Sequence, residues 1–323
     1  MEAFAPRSSG LRPSDPWVKK WVVAARLPFL LASVMPVLAT AAAAWRADGA
    51  LRLGLAALAL LGIALIHAGA NLANDYFDHR SGADAANRFS TPFSGGSRVI
   101  QEGIVSPRAV VTAALVCTAA GAGCGVVLWL HTRGHVLLAI GAAGIALGWF
   151  YTAPPLRLVH RGLGELATMA CFGALPALGT EWVLRGRLSP EVSWVGVPAG
   201  LLVAAILLIN EFPDVDADAA AGKRTLVVRL GARRAVAAYG LLLVATYGSV
   251  AVGVLLGWMP PAAGIVVFVA PLSWRILAII RANYADVKGL VPGMAATVLQ
   301  QVLFLLLLAG ACAADLGLRC WLR

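Results

Sequence analysis

The sequence predicts an all-α, multi-pass membrane protein. It has nine transmembrane helices, in two pseudo-repeated four-helix units plus a ninth helix, with the N-terminus in the cytoplasm. Three observations predict this. The mean hydropathy is +0.80, and 60% of residues are hydrophobic against 13% charged, unlike a water-soluble domain. Apolar runs of roughly 20 residues recur, the length an α-helix needs to cross ~30 Å of hydrocarbon. The cations are also unevenly shared among the segments that join these runs.

The first run, 26–45, follows a polar stretch and has no small-residue cleavage site, which marks a retained helix rather than a signal peptide. The second, 53–77, ends in an acidic stretch. The third and fourth, 108–130 and 134–151, are separated by a very short link. The fifth, 163–183, follows a loop rich in Pro and Arg. The sixth, 192–212, ends in a second acidic stretch. The seventh and eighth, 233–258 and 260–280, again have almost no link, and 290–308 is the ninth. Gly and Ala are frequent inside these runs, which lets membrane helices pack closely. The domain reading is a cytoplasmic segment at 1–25 and one membrane domain at 26–323. Within it, 26–151 and 163–280 are the two units and 290–308 closes the set.

With this topology, 19 of the 26 Lys and Arg lie in cytoplasmic segments and 7 in outer ones, a strong positive-inside bias. The net charge of +10 then reflects topology, with anionic lipid and anionic substrate as secondary readings and no call for nucleic acid. The five cysteines have no metal-like spacing and read as small apolar residues.

The chain has only 16 Asp and Glu. Asp75, Asp78 and Asp84 fall in one cluster, and Glu211, Asp214, Asp216 and Asp218 in a second. The clusters repeat: 210 − 71 and 214 − 75 are both 139, which suggests duplicated bundles facing one cavity. His67, Asn71 and Asp75 share a helix face, and Asp78 continues it. Asn210, Asp214 and Asp218 do the same if the sixth helix runs past Pro213. Carboxylates at a helix C-terminus oppose the macrodipole, so stacking them there twice calls for a compensating cation. Mg²⁺ takes such oxygen ligands and is typically completed by water and substrate phosphates. The bland alternative is a pair of solvated helix ends.

The stretches NDYFDHRSGAD, beginning at Asn74, and NEFPDVDADAAAGKRTLVVRLG, beginning at Asn210, resemble the two Asp-rich motifs of the UbiA superfamily of intramembrane prenyltransferases. A third stretch, from Tyr151 through Arg157 to Glu165, resembles the loop after that family's fourth helix. The first two motifs, and the segment 91–101, look most like the menaquinone-pathway branch, which prenylates 1,4-dihydroxy-2-naphthoate. The resemblance implies Mg²⁺-dependent transfer of a polyprenyl group from a polyprenyl diphosphate to an aromatic acceptor, with two ions bridging the diphosphate. It implies Asn71, Asp75, Asp78, Asp214 and Asp218 as metal ligands, and Tyr151 and Arg157 near the leaving group or acceptor. Asp84, Arg88, Arg98, Asn210, Lys223 and Arg224 become substrate-binding candidates. Lys223 and Arg224 read alternatively as topology charges, and His67 as an acceptor contact, an aid to proton removal, or a packing residue. Some members carry a Lys shortly after the loop Tyr; here there is none, which leaves Arg157 without a clear counterpart. The expected setting is a prokaryotic cytoplasmic membrane, with the site facing the cytoplasm. Other acceptors (4-hydroxybenzoate, homogentisate, a lipid or another quinone precursor) stay open. The rival from another class is a cation-coupled transporter.

Overall fold

The computed structural model describes residues 9–87 and 91–321. Among them every regular element is helical. A short amphipathic helix, α1 (Trp17–Ala24), precedes the bundle. The bundle consists of α2 (Leu27–Asp48), α3 (Leu53–Ser81), α4 (Pro107–Thr132), α5 (His135–Phe150), α6 (Gly164–Arg185), α7 (Pro190–Glu211), α8 (Ala232–Leu255), α9 (Pro261–Asn283) and α10 (Val287–Gly317). Eight of these are long and apolar enough to cross a bilayer, and α5, with 16 residues, is shorter.

Local chemistry sets the ends. Ser106 caps α4 by accepting the Ala109 N–H at 3.3 Å, with Pro107 as its first residue. The helix carrying the first acidic cluster runs one turn past the expected 77 and stops at Gly82, whose φ of 79° reverses the chain. The second cluster differs. Pro213 cannot continue a helix, so α7 stops at Glu211, and a separate short helix, Val215–Ala220, carries Asp216 and Asp218.

Packing follows small residues. Gly62, Gly69 and Gly121 let α3 and α4 meet along most of their length; a Cβ on Gly69 would lie 2.5 Å from Thr118 Oγ1. α7 is the most enclosed span, held between α6, α8 and α10. Its contact with α6 is made at a π turn, Ala170–Ala174. A Cβ on Gly173 would come within 2.3 Å of the Gly196 carbonyl oxygen and 2.6 Å of Gly200 Cα. Gly173→Ala must therefore push two backbones apart. We expect a loss of about 1–3 kcal/mol, read as a lower unfolding midpoint in detergent.

Buried backbone is satisfied with equal care. Pro36 inside α2 leaves the Ala32 carbonyl without its helical donor, and Gln301 of α10 supplies one at 3.0 Å. That bond ties α10 to α2 close to the functional end of the bundle.

Candidate active site

A cavity of about 570 Å³ runs down the bundle. Its deep part is apolar, walled by residues such as Ile63, Ile66, Leu137, Ile140 and Ile206. Its polar end gathers both acidic clusters: Asn71, Asn74, Asp78 and Asp84 from the α3 side, and Asn210, Glu211, Asp214 and Asp218 from the α7 side. Arg26 and Lys223 line the same end. Of the helical stripe expected on α3, His67, Asn71 and Asp78 line the cavity and Asp75 does not. The expected continuation on α7 is replaced by the turn at Pro213, which still carries Asp214 and Asp218 to the wall.

Lys223 sits between the clusters, with Nζ 2.9 Å from Asp78 Oδ1 and 3.7 Å from Asp218 Oδ1. Its backbone N–H donates to the Asp218 carbonyl at 2.8 Å, fixing the approach. Burial works against its charge, but the Asp78 and Asp218 carboxylates outweigh this and raise its pKa. The segment from Lys223 to Thr225 is non-helical and alternates: Lys223 and Thr225 are buried, and Arg224 points out. Arg224 therefore does not reach the cavity, and its backbone N–H bonds the His160 carbonyl instead. Asp216 is likewise exposed.

The two second-cluster carboxyls are perturbed chiefly by burial. Asp214 is pushed up to about 6, with a hydrogen bond from Asn87 Nδ2 (2.9 Å) and the Lys223 charge opposing the shift. Asp218 is pushed up to about 7, opposed by Lys223 and reinforced by Asp214 and Asp78. Asp84 is also raised, by burial and then by the charges of Asp78 and Asp75. Burial is the leading cause in all three.

Asp75 is only 2% exposed and does not line the cavity. It turns to Arg26, which pairs with it and also reaches Asn74 Oδ1 at 3.5 Å, and it accepts the Ser97 N–H at 3.2 Å. Arg26 adopts a left-handed backbone (φ 51°) where α1 turns into α2, a strained geometry for a side chain with Cβ. Arg98 (φ 66°) faces away from the main cavity. Its guanidinium donates to the Asp84 carbonyl at 2.7 Å, while Gln101 Nε2 holds Asp84 Oδ2 at 2.9 Å. Tyr151 lines the cavity, whereas Arg157 is exposed in a left-handed turn and does not. Arg88 lies outside the described residues.

Sequence reasoning assigned no site role to Arg26, Asn74, Asn87 or Glu211. Asn74 had a signal, since it lies four residues before Asp78 and its Nδ2 holds Asp78 Oδ2 at 3.1 Å. Arg26 and Asn87 had none, because each reaches its partner across the bundle. Glu211 lines the cavity, accepts the Val227 N–H through Oε2 at 3.1 Å, and leaves Oε1 unpartnered. Glu165, buried on α6, faces it.

The donor set suits a hard cation: carboxylate and amide oxygens, with no thiolate in the polar end. Among the described residues no three His, Cys, Asp or Glu groups converge tightly enough to hold a metal by themselves. Such an arrangement fits an ion completed by a substrate's own oxygens, with the apolar cavity behind it open to a hydrocarbon tail.

Residues 33–292 match the UbiA prenyltransferase family. The chain is 36% identical over 300 residues to the 1,4-dihydroxy-2-naphthoate octaprenyltransferase of Mycobacterium tuberculosis, covering 91% of this chain and 97% of the relative. It is 31% identical over 271 residues to the 2-carboxy-1,4-naphthoquinone phytyltransferase of Synechocystis, covering 83% and 85%. Among solved structures, a UbiA homolog from Archaeoglobus fulgidus bound to GPP and Mg²⁺ superposes with a TM-score of 0.65 at 17% identity, covering 91% of this chain and 99% of that one.

Proposed function

The chain belongs to the UbiA prenyltransferase family, and from that premise we propose that it transfers a polyprenyl group from a polyprenyl diphosphate to 1,4-dihydroxy-2-naphthoate, as in menaquinone biosynthesis. One observation carries the reading: the carboxylates of both clusters meet at the mouth of a single apolar cavity. The acceptor is taken from the naphthoate relatives, which cover nearly the whole chain. A cation-coupled transporter would place its acids mid-span; here they lie at helix ends.

Asn71, Asp75, Asp78, Asp214 and Asp218 would hold Mg²⁺, Asp75 being paired with Arg26. The Archaeoglobus homolog bound to Mg²⁺ supports the choice of ion, and five acidic or amide ligands around one diphosphate favour two ions over one. When bound, the metal supplies charge neutralisation for the departing diphosphate. Lys223 and Arg26 donate to diphosphate oxygens, Asn210 and Asp84 orient them, and Tyr151 closes the wall beside the leaving group. The apolar cavity takes the prenyl tail and keeps water from the allylic cation.

In the bilayer, α5 completes a nine-span bundle. Its 16 residues give about 24 Å at ~1.5 Å per residue, close to the hydrocarbon thickness. The positive-inside bias puts the N-terminus and the site in the cytoplasm. Residues 26–151 and 163–280 are the two related units.

The test is an acceptor screen. Purified protein is given one polyprenyl diphosphate, Mg²⁺, and in turn 1,4-dihydroxy-2-naphthoate, 4-hydroxybenzoate and homogentisate. Product from the naphthoate alone, abolished by EDTA, is the expected result. Product only from 4-hydroxybenzoate, or undiminished turnover in EDTA, would overturn the assignment.

A further inference from the structure

His67 lies on α3 one turn below Asn71, with its ring in the cavity wall. It is about 10 Å along the helix axis from Asn74, seven residues at ~1.5 Å each. Two neighbours fix the ring. Phe172, carried by the π turn of α6, meets it edge-on at 4.7 Å between centroids and 72° between planes. Ser33 of α2 lies 2.9 Å from Nδ1. The Ser33 hydroxyl has one proton, and it is donated to the Leu30 carbonyl at 3.0 Å. The contact with His67 is therefore one in which Nδ1–H donates and Ser33 Oγ accepts. This leaves Nε2 as a bare lone pair. No protein group among the described residues bonds it. A wall that here is largely apolar, with Ile63, Ile66 and Phe172 beside it, thus holds an oriented proton acceptor below the polar end of the cavity.

We infer that His67 Nε2 takes the hydroxyl proton of the aromatic acceptor during bond formation and returns it afterwards. The inference rests on the naphthoate reading above. The ring carbon bearing the carboxylate bonds to the allylic carbon, and the C–O bond to diphosphate breaks with its electron pair leaving on diphosphate. The neighbouring hydroxyl becomes a ketone as its proton passes to Nε2. The product is a β-keto carboxylate. Its bond to the carboxylate breaks, CO₂ leaves, and the electron pair forms an enolate that recovers the proton from the imidazolium. No net proton and no oxidant is needed. Nδ1–H stays on Ser33 throughout, so Ser33 Oγ stabilises the transient cation and acts as a positioning residue.

The experiment compares wild type, His67→Phe and His67→Gln in detergent or nanodiscs. It measures kcat and KM for 1,4-dihydroxy-2-naphthoate, the Kd of a polyprenyl diphosphate with Mg²⁺, and the unfolding midpoint. General acid–base groups contribute roughly 10²–10⁴-fold, so kcat should fall at least about 10²-fold in both variants, with diphosphate affinity unchanged. Gln presents an amide oxygen near the position of Nε2. It should keep the wild-type KM while losing kcat, whereas Phe raises KM as well. Wild-type kcat in folded His67→Phe would overturn the inference alone. So would a parallel loss of diphosphate affinity in both variants, which marks a packing role. Failure of the wild-type protein to prenylate the naphthoate would overturn the functional reading and this inference together.

Discussion

Asp78→Ala and Asp218→Ala each lower prenyl transfer by about 10²–10³-fold, a loss of roughly 3–4 kcal/mol of transition-state stabilisation. The two carboxylates lie on different helices and share only Lys223 and the cavity mouth. Each stands for one half of the diphosphate site, so neither half substitutes for the other. The double variant should be little worse than either single one, because residues acting as a unit are non-additive. Stability should fall less than activity, since Lys223 keeps one carboxylate partner in each single variant. Asp216→Ala is the control. Asp216 belongs to the same motif but is exposed, so transfer should stay within about twofold of wild type, as surface changes usually do. Initial rates in isolated membranes, with binding of the diphosphate measured alongside, check all four proteins. A full-rate Asp78→Ala or Asp218→Ala protein would remove the diphosphate site from this end of the cavity.

Arg26→Ala should be the most destabilising change at the site. It strips the partner from Asp75, which is 2% exposed and keeps only the Ser97 N–H. Breaking a buried pair from one side costs about 3–5 kcal/mol because an uncompensated charge remains. Adding Asp75→Asn removes that charge and should recover most of the stability. It should not recover activity, because the cavity mouth then lacks both the Arg26 cation and a motif carboxylate. Arg26→Lys should be intermediate. An ammonium can pair with Asp75, but its compact, more strongly hydrated charge is held less well in a buried pair than the guanidinium, whose Nη2 meets both Asp75 and Asn74. Thermal unfolding in detergent, read beside transfer rates, separates these outcomes. A stable Arg26→Ala protein would mean that Asp75 is held by something else.

Much of the bundle was legible because membrane spans are written in length and hydropathy. The first eight expected spans fall within a few residues of the helices, while the last helix runs on to Gly317, past the expected 308; the stripe from His67 to Asp78 lies on one continuous helix because nothing in 53–81 breaks it. The second cluster was legible in composition but not in shape. Pro213 made its geometry a three-dimensional matter, settled by a turn and a new short helix. Side-chain direction within loops was the least legible. Arg224 and Lys223 are adjacent cations of the same charge, and extended backbone at 223–225 sends one inward and the other out. Arg157 and Arg98 sit in left-handed turns that aim them away from the cavity, and no sequence pattern announces such turns at an arginine.

By itself, the sequence determined the helical class, the two oxygen-rich clusters and the family chemistry they resemble. Periodicity and composition act locally, and a helix needs only its own residues to satisfy its backbone. Only the tertiary structure decided that Asp75 faces Arg26 rather than the cavity, that Lys223 bridges Asp78 and Asp218, and that His67 is held by Ser33 and Phe172. Apart from Lys223 with Asp218, each of these contacts joins residues far apart in the chain. Such contacts depend on how separate segments pack together, which no single segment encodes.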